Sequence, residues 1–208
     1  MMDLFAELSG TSNRQMGQLI SLPNAELQYF PALFDQDSSD SNFEYLLNDV
    51  AWAQEHITLY GKTNKVPRLS AWYGDAAEMY TYSGITSKAL PWTDLLLHIK
   101  RDVESVTGAL FNSVLVNLYR DGADSVAWHS DDEPELGENP TIASVSFGQI
   151  RPFQLRMKHD HRVKYSLDLA HGSCLLMSGQ MQAYWQHQIA KSKKITQARI
   201  NLTFRMIK

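Results

Sequence analysis

Ser125-Val126-Ala127-Trp128-His129-Ser130-Asp131 sets an imidazole and a carboxylate two residues apart. If this stretch is the end of a strand, alternation puts His129 and Asp131 on one face and turns Ser130 away. One imidazole and one carboxylate are two thirds of the two-histidine, one-carboxylate set that suits non-haem iron(II). The third ligand must come from a distant segment. Of the seven histidines (56, 98, 129, 159, 161, 171 and 187), His187 on Ala183-Tyr184-Trp185-Gln186-His187 is the best placed. His-x-Asp alone fits a surface pair equally well, and His187 fits a packed core. The rival pair His159 and His161 lies in Lys158-His159-Asp160-His161-Arg162, which reads as a solvated hairpin tip. His171, before Gly172, reads as a turn residue.

A second constellation lies in Ala198-Arg199-Ile200-Asn201-Leu202-Thr203-Phe204-Arg205. As a strand it has an apolar face of Ile200, Leu202 and Phe204, and an opposite face of Arg199, Asn201, Thr203 and Arg205. Two arginines on a core strand require a compensating anion, because an unpaired buried charge costs several kcal/mol. The alternative is that this face meets water, as arginine usually does. A short dicarboxylate such as 2-oxoglutarate would satisfy both guanidinium forks. Asn117 and Tyr119, in Val116-Asn117-Leu118-Tyr119, share one face and could add donors.

The elements that must position these groups are mainly strands. Phe111–Arg120, Thr141–Phe147, Arg151–Lys158, Arg162–Leu169, Ser173–Ser178, Ala183–Gln188 and Ala198–Ile207 have strand composition and turn-forming boundaries. Two helices precede or interrupt them. Phe43, Leu46, Leu47, Val50 and Ala51 recur at helical spacing over about 40–55, after the polar stretch Asp35–Ser41. Leu95, Leu96, Ile99 and Val103 form a stripe over 91–107, closed by Gly108. The expected class is α+β, mainly β: a jelly roll with the helices packed on one face. Residues 1–28 read as poorly packed, and 1–50 as an N-terminal extension ahead of a domain over 51–208.

Composition narrows the partners. Hydrophobic residues make up 44% of the 208, enough for a core. No apolar run approaches the roughly 20 residues that span a membrane, and the first residues lack a basic, then apolar, leader, so an intracellular protein is expected. The single cysteine, Cys174, excludes an internal disulfide and reads as a core thiol. The net charge of −4 hides an asymmetry. Residues 1–60 hold nine acids and one base, leaving eighteen bases against fourteen acids in 61–208. A mildly basic body is permissive for a polyanion.

Asn117-Leu118-Tyr119, His129-Ser130-Asp131-Asp132-Glu133, Ile142-Ala143-Ser144-Val145-Ser146-Phe147-Gly148, His187 and Arg199 through Arg205 together resemble the AlkB family of nucleic-acid dealkylating dioxygenases. The resemblance runs from about Lys65 to Ile207 and is closest to the branch of the human homologues two and three. It implies a double-stranded β-helix. It implies iron(II) on His129, Asp131 and His187, and 2-oxoglutarate contacts from Asn117, Tyr119, Arg199, Thr203 and Arg205. The implied activity is oxidative demethylation of 1-methyladenine and 3-methylcytosine in DNA, with RNA as an open alternative. Succinate and formaldehyde are the by-products, and the implied role is repair of alkylation damage by a monomer in the cytoplasm, nucleoid or nucleus.

The resemblance also places a nucleotide-recognition lid at about 57–90. Tyr80 and Tyr82 would cover the base, with Trp72 nearby and Tyr60 as a wedge in the stack. Each of these aromatics could instead be ordinary packing. Asp132 and Glu133 match positions near the base's exocyclic amine, or could orient His129 or a lid arginine. Arg156, Lys158, Arg162, Lys164, Lys191, Lys193 and Lys194 are the expected phosphate contacts. A relative acting on a protein or small molecule is the alternative.

Overall fold

The computed structural model describes residues 17–59, 61–75, 79–82 and 85–208. In chain order they form β1 (Gln18–Leu22), β2 (Ala25–Phe30), α1 (Gln36–Asp49), β3 (His56–Leu59), β4 (Lys62–Lys65) and β5 (Leu69–Gly74). Then come β6 (Met79–Tyr82), β7 (Ile85–Lys88), α2 (Asp94–Thr107), β8 (Ser113–Tyr119), β9 (Val126–His129) and β10 (Ile142–Gly148). The last are β11 (Arg151–Met157), β12 (Lys164–Leu169), β13 (Ser173–Ser178), α3 (Met181–Tyr184), β14 (Trp185–Ile189) and β15 (Arg199–Arg205). A seven-stranded sheet, β1-β2-β13-β10-β15-β8-β5, faces a four-stranded sheet, β12-β11-β14-β9. Two hairpins, β3-β4 and β6-β7, stand apart from both. This is the expected jelly roll.

The large sheet buries apolar residues on both faces. Ile200, Leu202, Phe204, Val114, Val116, Val145 and Phe147 turn to α1 and α2 and pack with Leu46, Leu96, Ile99 and Val103. The opposite face meets the small sheet through Ile142, Leu175, Met177, Phe153, Leu155 and Trp185. Both helices lie on one face, as expected. Cys174 is fully buried in the helix-side core, and burial pushes its thiol up to about 12. A thiol held protonated is a poor nucleophile. Native protein is therefore expected to leave a disulfide reagent such as dithionitrobenzoate unreacted, with one equivalent released on unfolding in urea. Stoichiometric reaction of the native fold would contradict the packing.

Two local expectations are corrected. The polar stretch starting at Asp35 belongs to α1: the Asp35 carboxylate accepts from the Ser38 N–H at 2.8 Å, so the helix begins at 36. It ends at Asp49, short of 55, because Ala53 is drawn into a two-bond bridge with Ser70 beside β5. Residues 17–30 are also well paired, where loose packing was expected. Ala25, Leu27 and Tyr29 alternate inward, Asn24 takes the left-handed turn position, and β2 pairs along β13. The second helix starts at Asp94, capped by Thr93, and ends on left-handed Gly108.

Candidate active site

The small sheet brings the two histidines together. β14 pairs with β9 so that His187 lies directly opposite His129, and the register slips by one residue before Ile189 meets Val126. Such a bulge re-aims side chains on an edge strand. The rings sit 4.2 Å apart, edge to face. Asp131 follows two residues beyond His129, with 3.6 Å between His129 Nε2 and Asp131 Oδ1. One donor atom from each of His129, Asp131 and His187 lies within 4.8 Å of the other two. Among the described residues no other such group of three forms, and both His159 and His161 are exposed.

The protonation states suit metal ligation. His129 Nδ1 lies 2.8 Å from the Ala127 carbonyl, a contact a ring nitrogen can make only by donating, so Nε2 is the atom left to face Asp131. His187 is buried against Phe153, and its Nδ1 finds no hydrogen-bond partner. Burial first, then the neighbouring His129, drives its pKa down to about 3, so the ring is neutral. Burial would raise the Asp131 carboxyl. The Arg205 guanidinium, 2.9 Å away, outweighs it together with the two histidines and holds the group at about 2. A neutral His187, the free Nε2 side of His129 and an ionised carboxylate form a donor set that a divalent cation takes.

His187 gives a pH prediction. The unfolded chain binds a proton near 6.5 that the folded ring refuses down to about 3. Stability from this group is therefore complete above pH 6.5 and falls as pH drops from there toward 3. Urea unfolding of the metal-free protein between pH 6 and 5 is expected to lose about 1.4 kcal/mol per pH unit through it. His187→Phe removes that slope; an unchanged slope would mean the folded ring titrates normally.

Beside the ligands opens a cleft with about 480 Å³ of empty space, including its mouth. Antiparallel pairing of β15 with β8 sets Asn201 opposite Asn117 and Arg199 opposite Tyr119, so the polar faces of both strands line it. Asn201 Nδ2 donates to Ser144 Oγ at 2.8 Å, and Thr203 Oγ1 donates to Asn201 Oδ1 at 3.1 Å. Arg68 Nε donates to Asn117 Oδ1 at 2.8 Å. The compensating anion expected for the two arginines of β15 is internal for Arg205, which pairs with Asp131. Arg199 differs. It is 2% exposed, donates through Nη2 to Ser146 Oγ at 2.9 Å, and lies 5.3 Å from the Tyr119 ring centre. Its Nε and Nη1 have no hydrogen-bond partner, and among the described residues it forms no ion pair. Burial pulls its pKa down to about 10, so it remains a cation.

The outer positions are less tightly drawn together. Trp72 pairs in register with Leu115, which lines the cleft, and packs against Leu136 and Ile207. Asp132 is exposed and ion-paired to Lys158 at 3.0 Å, while Glu133 is half-buried before a short turn at Pro134–Leu136. Tyr80 and Tyr82 sit on β6, across from Ser87 and Ile85 of β7; their side chains, and all of Tyr60, lie outside the described residues. Arg156 stacks 4.4 Å over Trp128 and donates to Gln186, and Arg162 pairs with Asp160. Lys164, Lys191, Lys193 and Lys194 are exposed. His171 occupies its turn, accepting from the Gly148 N–H and contacting Asp40.

Sequence reasoning missed Arg68, Ser144, Phe153 and Met177 as cleft residues, and Ser146 as the partner of Arg199. For Arg68 a signal existed: a lone arginine ahead of the apolar run Leu69–Gly74. The serines gave none, since small residues on a strand buried on both faces carry no polarity pattern.

A family model described as "2OG-Fe(II) oxygenase superfamily" matches residues 26–205. Alpha-ketoglutarate-dependent dioxygenase alkB homolog 3 of Bos taurus is 46% identical over 188 residues, an alignment covering 85% of this chain and 64% of the relative. The Homo sapiens homolog 3 is 44% identical, covering 86% and 65%. DNA oxidative demethylase ALKBH2 of Homo sapiens is 41% identical, covering 86% and 72%. The chain thus spans slightly under two thirds of the length of the homolog 3 relatives. Among solved structures, that of OsALKBH1 superposes with a TM-score of 0.63 at 18% identity, covering 91% of this chain and all of the other. That likeness shows the fold.

Proposed function

The chain belongs to the 2OG-Fe(II) oxygenase superfamily, within its AlkB family, and from that premise we propose that it is an iron(II)- and 2-oxoglutarate-dependent demethylase of N-alkylated bases in DNA. The observation that carries the reading is one cleft that joins a cluster of metal-ligating side chains to a buried cation. At one end stand the donor atoms of His129, Asp131 and His187, within 4.8 Å of one another; at the other stands Arg199, a buried cation without an acid. A metal fits the first set, and the carboxylate of a short dicarboxylate fits the second.

On this reading His129, Asp131 and His187 hold the iron, and Arg205 keeps Asp131 ionised and aimed. Arg199 and Tyr119 receive the far carboxylate of 2-oxoglutarate, with Asn117, Thr203 and Arg205 completing the polar wall. When bound, the iron and its cosubstrate supply the oxidising power, one oxygen atom going to succinate and one to the N-methyl group. Leu115, Phe153 and Met177 line the cleft with apolar surface, which limits water near the reacting atoms. The base enters from the side of Trp72, Asp132 and Glu133, with Tyr80, Tyr82 and Tyr60 as its proposed cover and wedge. A flipped cationic base suits aromatic faces and carboxylates. Exposed Lys164, Lys191, Lys193 and Lys194 are the proposed phosphate contacts, joined by Arg156, Lys158 and Arg162. One chain supplies every group named, which supports action as a monomer, and the reading places it inside the cell. No helix among the described residues is long and apolar enough to cross a membrane.

The test is turnover of an oligonucleotide carrying 3-methylcytosine, with iron(II), 2-oxoglutarate and oxygen. Formaldehyde, succinate and unmodified cytosine are expected in equal amounts. Succinate formed without base restoration would overturn the nucleic-acid substrate while keeping the oxygenase.

A further inference from the structure

The segment carrying two of the three metal-ligand candidates is weakly held by its own sheet. β9 is four residues long, forms the edge of its sheet, and pairs with β14 through a slipped register. Asp131 lies beyond the strand altogether. What fixes it is α3, a single turn between β13 and β14. Gln182 there is 1% exposed, and its Oε1 accepts the Asp131 backbone N–H at 3.0 Å. The orientation of the amide follows from the partner: an N–H requires the carbonyl oxygen, which sends the Gln182 NH2 to Met177 Sδ, 3.9 Å away. One turn further on, the Trp185 carbonyl accepts from Ser130 Oγ at 2.9 Å. α3 is itself immobilised, since Met181 and Trp185 are fully buried and Trp185 Nε1 donates to the Pro23 carbonyl at 2.8 Å.

We infer that Gln182 is a positioning residue for the metal centre: by capping the Asp131 N–H it sets the carboxylate against His187, which leaves the same turn on β14. The inference rests on the reading of His129, Asp131 and His187 as metal ligands. A buried glutamine is costly unless bonded, and here one of its hydrogens meets only a thioether. Its oxygen is therefore the group the site uses. Second partners of this kind typically govern metal affinity by 10- to 100-fold.

Cobalt(II) titration of the metal-free protein, followed by visible absorption, tests it without turnover. Gln182→Met keeps length and apolar contact but removes the strong acceptor. We expect its cobalt affinity to fall on the order of 10- to 100-fold with an altered absorption band. Val103→Ala, in α2 and away from the cleft, serves as a control for loss of stability and should keep wild-type affinity and spectrum. Gln182→Asn, one methylene shorter, should behave like Gln182→Met. Wild-type affinity in a folded Gln182 variant would overturn the inference, as would failure of both variants to fold, which would assign Gln182 to the fold alone. Absence of cobalt binding by the wild type would instead overturn the ligand reading on which it rests.

Discussion

Asp131→Asn is expected to take turnover to background and to cost about 3–5 kcal/mol of stability in the metal-free protein. Two effects coincide at one atom. The substitution replaces a charged oxygen donor with a neutral amide, so the cluster with His129 and His187 loses its only anion. It also strips Arg205, itself 5% exposed, of the carboxylate 2.9 Å from its Nη2. Loss of the carboxylate beside a buried guanidinium is what makes the effect large, since the shape of the side chain barely changes. Thermal unfolding and cobalt titration separate the two effects. A variant that unfolds like wild type would mean that Arg205 meets its charge elsewhere, and turnover within tenfold of wild type would remove Asp131 from the ligand set. The wild-type carboxylate, held at about 2, also adds acid sensitivity below pH 4, because protonation there removes the same anion.

Arg199→Met should move stability and affinity in opposite directions. Arg199 is buried without an acid, so an apolar side chain of similar length relieves desolvation, and the metal-free variant is expected to be as stable as wild type or more so. Its affinity for 2-oxoglutarate should fall by about 2–5 kcal/mol, the usual cost of truncating one side of a buried charge pair. That is a rise in KM for 2-oxoglutarate of roughly 30- to 4,000-fold, with kcat at saturation little changed. Arg199→Lys should lie between, keeping the charge but losing the fork that reaches Ser146. A destabilised Arg199→Met with normal KM would make the residue structural, and the cosubstrate pocket would have to be sought elsewhere in the cleft.

The parts of this site legible in the sequence are those that local periodicity carries. Alternation along Arg199–Arg205 separated the helix-facing Ile200, Leu202 and Phe204 from the cleft-facing polar residues, and the structure keeps that division. His129 and Asp131 could be placed on one side because they lie two residues apart. The remaining groups depend on register between distant strands. Arg68 reaches Asn117 because Ser70 of β5 is opposite Asn117 of β8, and nothing within either segment announces that pairing. Gln182 was invisible because a four-residue helix has no periodicity to read. The N-terminal hairpin was legible but overlooked: Pro23-Asn24 between two alternating runs is a turn signal, and composition alone pointed the other way. Asp35 belongs in the same category, a cap read as part of the polar stretch ahead of the helix.

The position of β15 has a consequence for how this chain is made. The last strand in sequence lies in the middle of the large sheet, between β10 and β8, and an early one, β2, pairs with β13. Residues 25–30 must therefore wait for residues 173–178, and strands 113–119 and 142–148 remain apart until 199–205 has emerged to join them. Such high contact order implies folding on the order of milliseconds to seconds. A nascent chain that has reached β13 but not β15 displays unpaired, apolar strand edges, the form most prone to self-association.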